Sequence, residues 1–180
     1  MSSKPLNVPA VERWRPLVAS VLQQIGPGLS VVPSIDLVLA VIGQESIGAP
    51  GATRVEPDGR TSRGLMQVLD GTARELGVID PATLYVPAIG VAAGVRYLAK
   101  QLKRYRGSIP KAVAAYNAGT AFYVDNAARS FRNQTYVDRV HAWLAAIQNA
   151  RGGPSIAPWL GAAATLAALY AARRLMRGEA

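Results

Sequence analysis

The sequence predicts a mainly α fold: one compact domain with at most a small hairpin, followed by a C-terminal apolar helix. Three observations carry that expectation. Apolar residues recur at three- and four-residue spacing through most of the chain up to residue 150. Ser, Asp and Pro stand where helices would begin, and Gly where they would stop. Half of the 180 residues are hydrophobic, enough for a single core with an appendage.

The elements follow in order. Val11, Trp14, Leu17, Val18, Val21, Leu22 and Ile25 share a helical face. Pro16 interrupts that run, so the helix kinks or starts there, and Gly26-Pro27-Gly28 ends it. Ser34 suits the N-cap of a helix whose stripe, Ile35, Val38, Leu39 and Ile42, runs on to Glu45. Residues 48–63 are rich in Gly, Pro and charge, with a turn at Pro57-Asp58-Gly59, and read as a loop or small hairpin. Asp70 and Asp80 are expected to cap two short helices. Pro87 opens a longer helix, with Ile89, Ala93, Leu98, Leu102 and Tyr105 as its apolar positions, ending near Gly107. Ser108-Ile109-Pro110 starts the next. A last helix follows Thr135, with Val137, Val140, Leu144 and Ile147 inward, and Gly152-Gly153-Pro154 stops it. The chain therefore divides into an N-terminal helical segment (1–30), a core domain (31–151), a linker (152–155) and a tail helix with a basic end (156–180).

The formal net charge is +9, from 20 basic and 11 acidic residues. A basic protein favours polyanions such as nucleic acid, anionic lipid or an acidic wall polymer. No nucleic-acid-reading motif is present and aromatic residues do not interleave with the basic ones, so a specific nucleic-acid partner is disfavoured. The absence of cysteine excludes disulfides and cysteine-ligated metals. No metal-ligand cluster, phosphate-cradling loop or nucleophile triad is found, and neither metal nor cofactor is expected. His141, the single histidine, is expected in a surface or packing role.

Glu45 is the candidate with chemistry. It follows Leu39 and Ile42 on the inward stripe and ends its helix, where unsatisfied carbonyls carry partial negative charge. Burial and that dipole both disfavour the carboxylate and raise its pKa. A carboxylic acid kept protonated near neutral pH can protonate a glycosidic oxygen. A lone glutamate at a helix end is ordinarily a solvated one, so the weight rests on its company. Four islands occur in order: Glu45-Ser46, Gly64-Leu65-Met66-Gln67, Ala115-Tyr116-Asn117-Ala118-Gly119 and Tyr136-Val137. As an ordered set they resemble the catalytic core of the soluble-type lytic transglycosylases, which cleave peptidoglycan and share a lysozyme-like fold. The resemblance covers Pro33 to Ala150.

That resemblance implies a lysozyme-like transglycosylase fold for residues 31–151 and peptidoglycan glycan strands as substrate. Glu45 would be the single catalytic acid and base. It would protonate the bond after N-acetylmuramic acid, then take the proton of the carbon-six hydroxyl as an anhydro ring closes, without water. Ser46 would orient Glu45 or bind substrate. Gly64, Leu65, Met66 and Gln67 would line the cleft floor, Met66 offering a soft apolar surface and Gln67 meeting the acetamido group. Tyr116 and Asn117 would reach the cleft beside Glu45, Gly119 would end their helix, and Tyr136 would place its hydroxyl near Glu45. Two departures stand out. The loop between Glu45 and Gln67 is a few residues longer than usual and carries Glu56 and Asp58; either carboxylate in the cleft would allow a hydrolytic lysozyme instead. Arg132-Asn133-Gln134-Thr135 fills a stretch where the family tends to carry a glutamate. The reading outside enzymes is a non-catalytic wall-binding or virion structural protein.

In the tail, residues 152–172 carry no charge, Trp159 and Tyr170 lie near the ends of that run, and Arg173, Arg174 and Arg177 follow. A helix from Pro158 to Met176 would be about 28 Å long, near the thickness of a bilayer core. The expectation is a membrane-inserted helix through residues 156–172, with packing or oligomerisation through the tail as the alternative. Met1 to Ala10 does not read as a secretory signal. A wall-cleaving domain lacking one points to a virion-associated protein, or to a membrane-anchored one facing the periplasm and cell wall.

Overall fold

The computed structural model describes residues 6–56, 58–125 and 130–152. Helices dominate: α1 Val8–Glu12, α2 Arg15–Ile25, α3 Ile35–Ser46, α4 Asp70–Glu75, α5 Pro87–Arg104, α6 Ile109–Ala118 and α7 Gln134–Ala150. The β content exceeds the small hairpin expected. Strands β1 (Thr53–Val55), β2 (Thr61–Arg63) and β3 (Val68–Leu69) form an antiparallel sheet in that order, and β4 (Tyr123–Asp125) pairs with β5 (Ser130–Phe131). Strands of two or three residues are too short for alternating polarity to register in a sequence. The expected tail helix and its membrane stretch, 156–172, lie outside the described residues. Among the described residues no helix is long and apolar enough to cross a membrane.

α3 is the spine. Ser34 caps it, its hydroxyl accepting from Leu37 N at 3.2 Å, and every residue from Leu37 to Gly43 is buried. A helix apolar on all faces must be covered all round. α7, α2 and α1 cover it, so the N-terminal helices share one core with the domain: Val11, Val18 and Val21 pack in the same cluster as Leu39, Ile42 and Trp143. Pro16 lies in the first turn of α2, where its missing N–H costs nothing. Gly43 sets the α3–α7 distance, because a Cβ there would come within 2.5 Å of the Trp143 ring.

Two expectations need correction. Asp70 is the first residue of α4, with Leu69 before it as N-cap; its carboxylate instead takes Arg63 through bonds of 2.8 and 3.1 Å. Ile89 is 38% exposed, because the buried face of α5 is set by Val91, Val95, Leu98 and Leu102. Asp80 does cap, accepting from Ala82 N at 2.9 Å at the start of a 3-10 turn, Pro81–Tyr85.

Candidate active site

The C-terminus of α3 delivers Glu45 to the wall of a cleft of about 680 Å³. Protein encloses most of its carboxyl, and part of the residue stays open to the cleft. Burial is the largest influence and raises its pKa from 4.5 to about 7; the Tyr136 hydrogen bond and the Arg54 charge pull it down, and Glu56 pushes it up. Glu45 thus passes between acid and carboxylate near neutral pH.

The chain just beyond is locked. Ile47 and Gly48 take left-handed conformations, and the Gly48 carbonyl accepts from Arg13 Nη2 at 2.8 Å and Trp14 Nε1 at 2.9 Å. A cation and an indole N–H from the N-terminal segment therefore pin the carbonyl of Gly48, two residues past the end of this helix.

Tyr136, on the first turns of α7, donates its hydroxyl to Glu45 Oε1. Burial and the adjacent Glu45 push its pKa well above the ordinary tyrosine value, so it stays a donor. Ser46 does not orient Glu45. Its hydroxyl donates to Leu65 O at 2.8 Å, with Ile42 O further off at 3.2 Å, and so fastens the end of α3 to the Gly64–Gln67 strip.

That strip is held from both sides. Tyr116 is buried, its ring 5.1 Å from that of Tyr97, and its hydroxyl donates to Met66 O at 2.9 Å. Gly64 has φ +75, and a Cβ there would meet the Leu84 carbonyl at 2.2 Å; its close neighbour is the protein's own backbone. Leu65 and Met66 are fully buried, so their side chains belong to the core and Met66 offers no apolar face to the cleft. Gln67 lines the cleft, but its amide is already engaged. Nε2 donates to Ala52 O and Gly64 O, both at 2.9 Å, and Oε1 accepts from Ser62 at 3.0 Å. Its backbone, at φ 47, is left-handed.

Asn117 is exposed at the cleft, where α6 ends in the left-handed Gly119. Its Oδ1 accepts from Asn133 Nδ2, which also donates to Ala114 O, both at 2.9 Å. Asn133 sits in the stretch where the motif pattern departs from the family, and sequence reasoning gave it no role. All four islands are brought together, Glu45 and Tyr136 by direct contact and the others through the strip.

Sequence reasoning also missed two walls. From the β1–β2 arm come Arg54, Glu56, Arg60 and Ser62; from α5 come Tyr97, Lys100, Gln101 and Arg104. The α5 set had a signal, since positions 97, 101 and 104 share a helical face. Glu56 lines the cleft and pairs with Arg54 at 3.1 Å, whereas Asp58 is half exposed and tied to Arg60 at 2.7 Å. His141 is partly buried on α7, and burial lowers its pKa.

Residues 32–138 match the family model described as the transglycosylase SLT domain. The chain belongs to the SLT transglycosylase family. Within it, the chain is similar to invasion protein IagB of Salmonella typhimurium, 37% identical over 89 residues, covering 48% of this chain and 55% of that one. It is similar also to the transglycosylase of Enterobacteria phage PRD1, 37% identical over 84 residues, covering 47% and 29%. The chain thus spans about half the length of the first of these relatives. Among solved structures, the 70 kDa soluble lytic transglycosylase of Escherichia coli superposes with TM-score 0.57 at 21% identity, over 75% of this chain and 24% of that one. A complex of the 70 kDa soluble lytic transglycosylase with bulgecin A gives 0.60 at 23%, over 81% and 26%. At these identities the superpositions establish the SLT fold alone.

Proposed function

We propose that this SLT domain is a peptidoglycan lytic transglycosylase, with Glu45 as its only acid and base. The observation that carries the reading is the Glu45–Tyr136 contact: a buried carboxyl with its pKa near 7, receiving one donor, at the wall of an open cleft. Protonated Glu45 gives its proton to the glycosidic oxygen between N-acetylmuramic acid and N-acetylglucosamine. The bond from that oxygen to the anomeric carbon breaks, and the sugar keeps the positive charge. Tyr136 stabilises the carboxylate left behind. The carbon-six hydroxyl of the same sugar then attacks the anomeric carbon and returns its proton to Glu45, closing a 1,6-anhydro ring. Atoms balance without water, and the acid is regenerated. A pKa near the working pH serves both half-steps.

Ser46, Tyr116 and Gln67 act here as positioning residues that fix the strip under the substrate, and Asn117 presents its amide NH₂ to the glycan. A hydrolytic second reading has one observation in its favour, since Glu56 lines the same cleft and acts electrostatically on Glu45. Usual glycosidases use such a carboxylate pair. Its ion pair with Arg54 favours a tuning role instead. Mass spectrometry of muropeptides decides between the two: anhydro ends support the transglycosylase, and reducing ends the lysozyme.

The biological role fits local opening of the wall by a virion-associated protein, a reading supported by similarity to a phage transglycosylase. Its tail then enters the membrane through residues 156–172. Full-length protein should stay on liposomes in high salt, because apolar insertion is not screened. Equal retention of a chain ending at Gly153 would remove the tail from that role.

A further inference from the structure

Gln101 is one of two buried polar residues among those described, at 3% exposure. The other, Ser62, spends its hydroxyl on Gln67. Gln101 lines the cleft, yet its Oε1 has no partner. Gln148 Oε1 is likewise unpaired, but Gln148 is not part of the cleft lining. An unpaired buried acceptor destabilises a fold, and one kept at a cleft wall calls for an explanation. The surroundings on α5 are specific. Tyr97, one turn earlier, lines the same cleft, and Lys100 stands beside it, 61% exposed and only 3.8 Å-paired with Glu75. One acceptor flanked by a hydroxyl and an ammonium matches a planar group that offers one N–H and one carbonyl.

We propose that Gln101, with Tyr97 and Lys100, forms a subsite for a secondary amide of the substrate. The N–H of that amide bonds Gln101 Oε1, and its carbonyl accepts from the Tyr97 hydroxyl or the Lys100 ammonium. Oε1 is closed to solvent in this structure, so it meets the ligand by a turn of the amide about its last torsion, which is broad and soft. The inference rests on the wall-cleaving reading, and it moves amide recognition away from Gln67, whose own amide is engaged by Ala52, Gly64 and Ser62. Peptidoglycan carries secondary amides in two places, the acetamido groups of its sugars and the peptide stems.

The test uses full-length protein carrying Glu45→Gln, which binds without cleaving, with and without Gln101→Met. Calorimetry is run with a β-1,4-linked N-acetylglucosamine tetramer, its fully de-N-acetylated counterpart, and a tetrasaccharide bearing peptide stems. Gln101→Met should weaken the acetylated tetramer about tenfold, the loss of one neutral hydrogen bond, and leave the de-N-acetylated tetramer unchanged. It should also raise the melting temperature, because an orphaned acceptor is gone. A loss seen only with the stem-bearing ligand assigns the subsite to the peptide. Unchanged affinity for both amide-bearing ligands overturns the proposal, as does a lowered melting temperature, which would mean Oε1 is paired within the fold. Gln101→Leu repeats the comparison with a second apolar shape. Failure of the Glu45→Gln protein to bind any of the three overturns the wall-cleaving reading itself, a result distinct from the others.

Discussion

The two walls beside Glu45 are built in opposite ways. On one side α3 and α7 meet through buried apolar groups, Gly43 against Trp143, with Ile42 and Ile147 fully enclosed. On the other, the β1–β2 arm is exposed along β1 and carries charge: Arg54 at 69% side-chain exposure beside Glu56, and Arg60 at 64% beside Asp58. Burial is the largest influence on the Glu45 pKa, and the first wall is the closely packed one. The second trims that pKa, since Arg54 and Glu56 act in opposite directions. Changes to the helical wall should therefore cost far more than changes to the arm.

The largest effect is expected from Glu45→Gln, which removes the proton donor and should lower wall cleavage at least about a hundredfold. The same substitution should stabilise the protein at high pH. Folded Glu45 holds its proton up to about pH 7, whereas the unfolded group loses it near 4.5. The folded state binds more protons between those values, so stability falls as pH rises through that window, by roughly 3 kcal/mol at most. Glu45→Gln should erase that slope in melting curves taken from pH 4 to 8; an unchanged slope would mean the carboxyl is not buried as described.

Tyr136→Phe should follow, with a drop of about ten- to a hundredfold, the worth of a hydrogen bond to a charged group. With Glu45 as the proposed acid, activity should fall as pH rises through about 7. Losing the Tyr136 donor should move that fall to higher pH, which a pH–rate profile reads directly. Gly43→Ala tests the packing of the same wall. Its Cβ would strike the Trp143 ring, costing about 1–3 kcal/mol of stability by denaturant melts and separating Tyr136 from Glu45. The smallest effect belongs to the arm. Glu56→Gln should shift the pH fall slightly downward and change turnover by less than about threefold. Loss of most activity would make the arm an equal partner in catalysis.

What the sequence revealed divides along the same line. Ser34, Gly119, Glu45 and Tyr136 were legible because caps and helical stripes are local, and because a short ordered motif set singles out Glu45 and the tyrosine that meets it. The strip Gly64–Gln67 was only half legible. Gln67 lies at the cleft, where the motif put the whole strip, but nothing in a turn of irregular backbone says that Leu65 and Met66 face the core or that the Gln67 amide is already bonded. Asp70 looked like a cap because its competitor, Arg63, lies seven residues away across a strand. Asn133 and Gln101 escaped notice because a polar residue in a helix or turn reads as solvated until tertiary contacts bury it.

The central claim is that one buried carboxyl, without a water-activating partner, performs both proton transfers. Mass spectrometry of the soluble fragments from purified peptidoglycan incubated with the full-length chain tests it most directly. Muropeptides ending in 1,6-anhydro sugar, one water lighter than hydrolytic products, are expected from wild type and Glu56→Gln alike. Reducing ends from the wild type, lost on Glu56→Gln, would contradict it and make the cleft a two-carboxylate hydrolase.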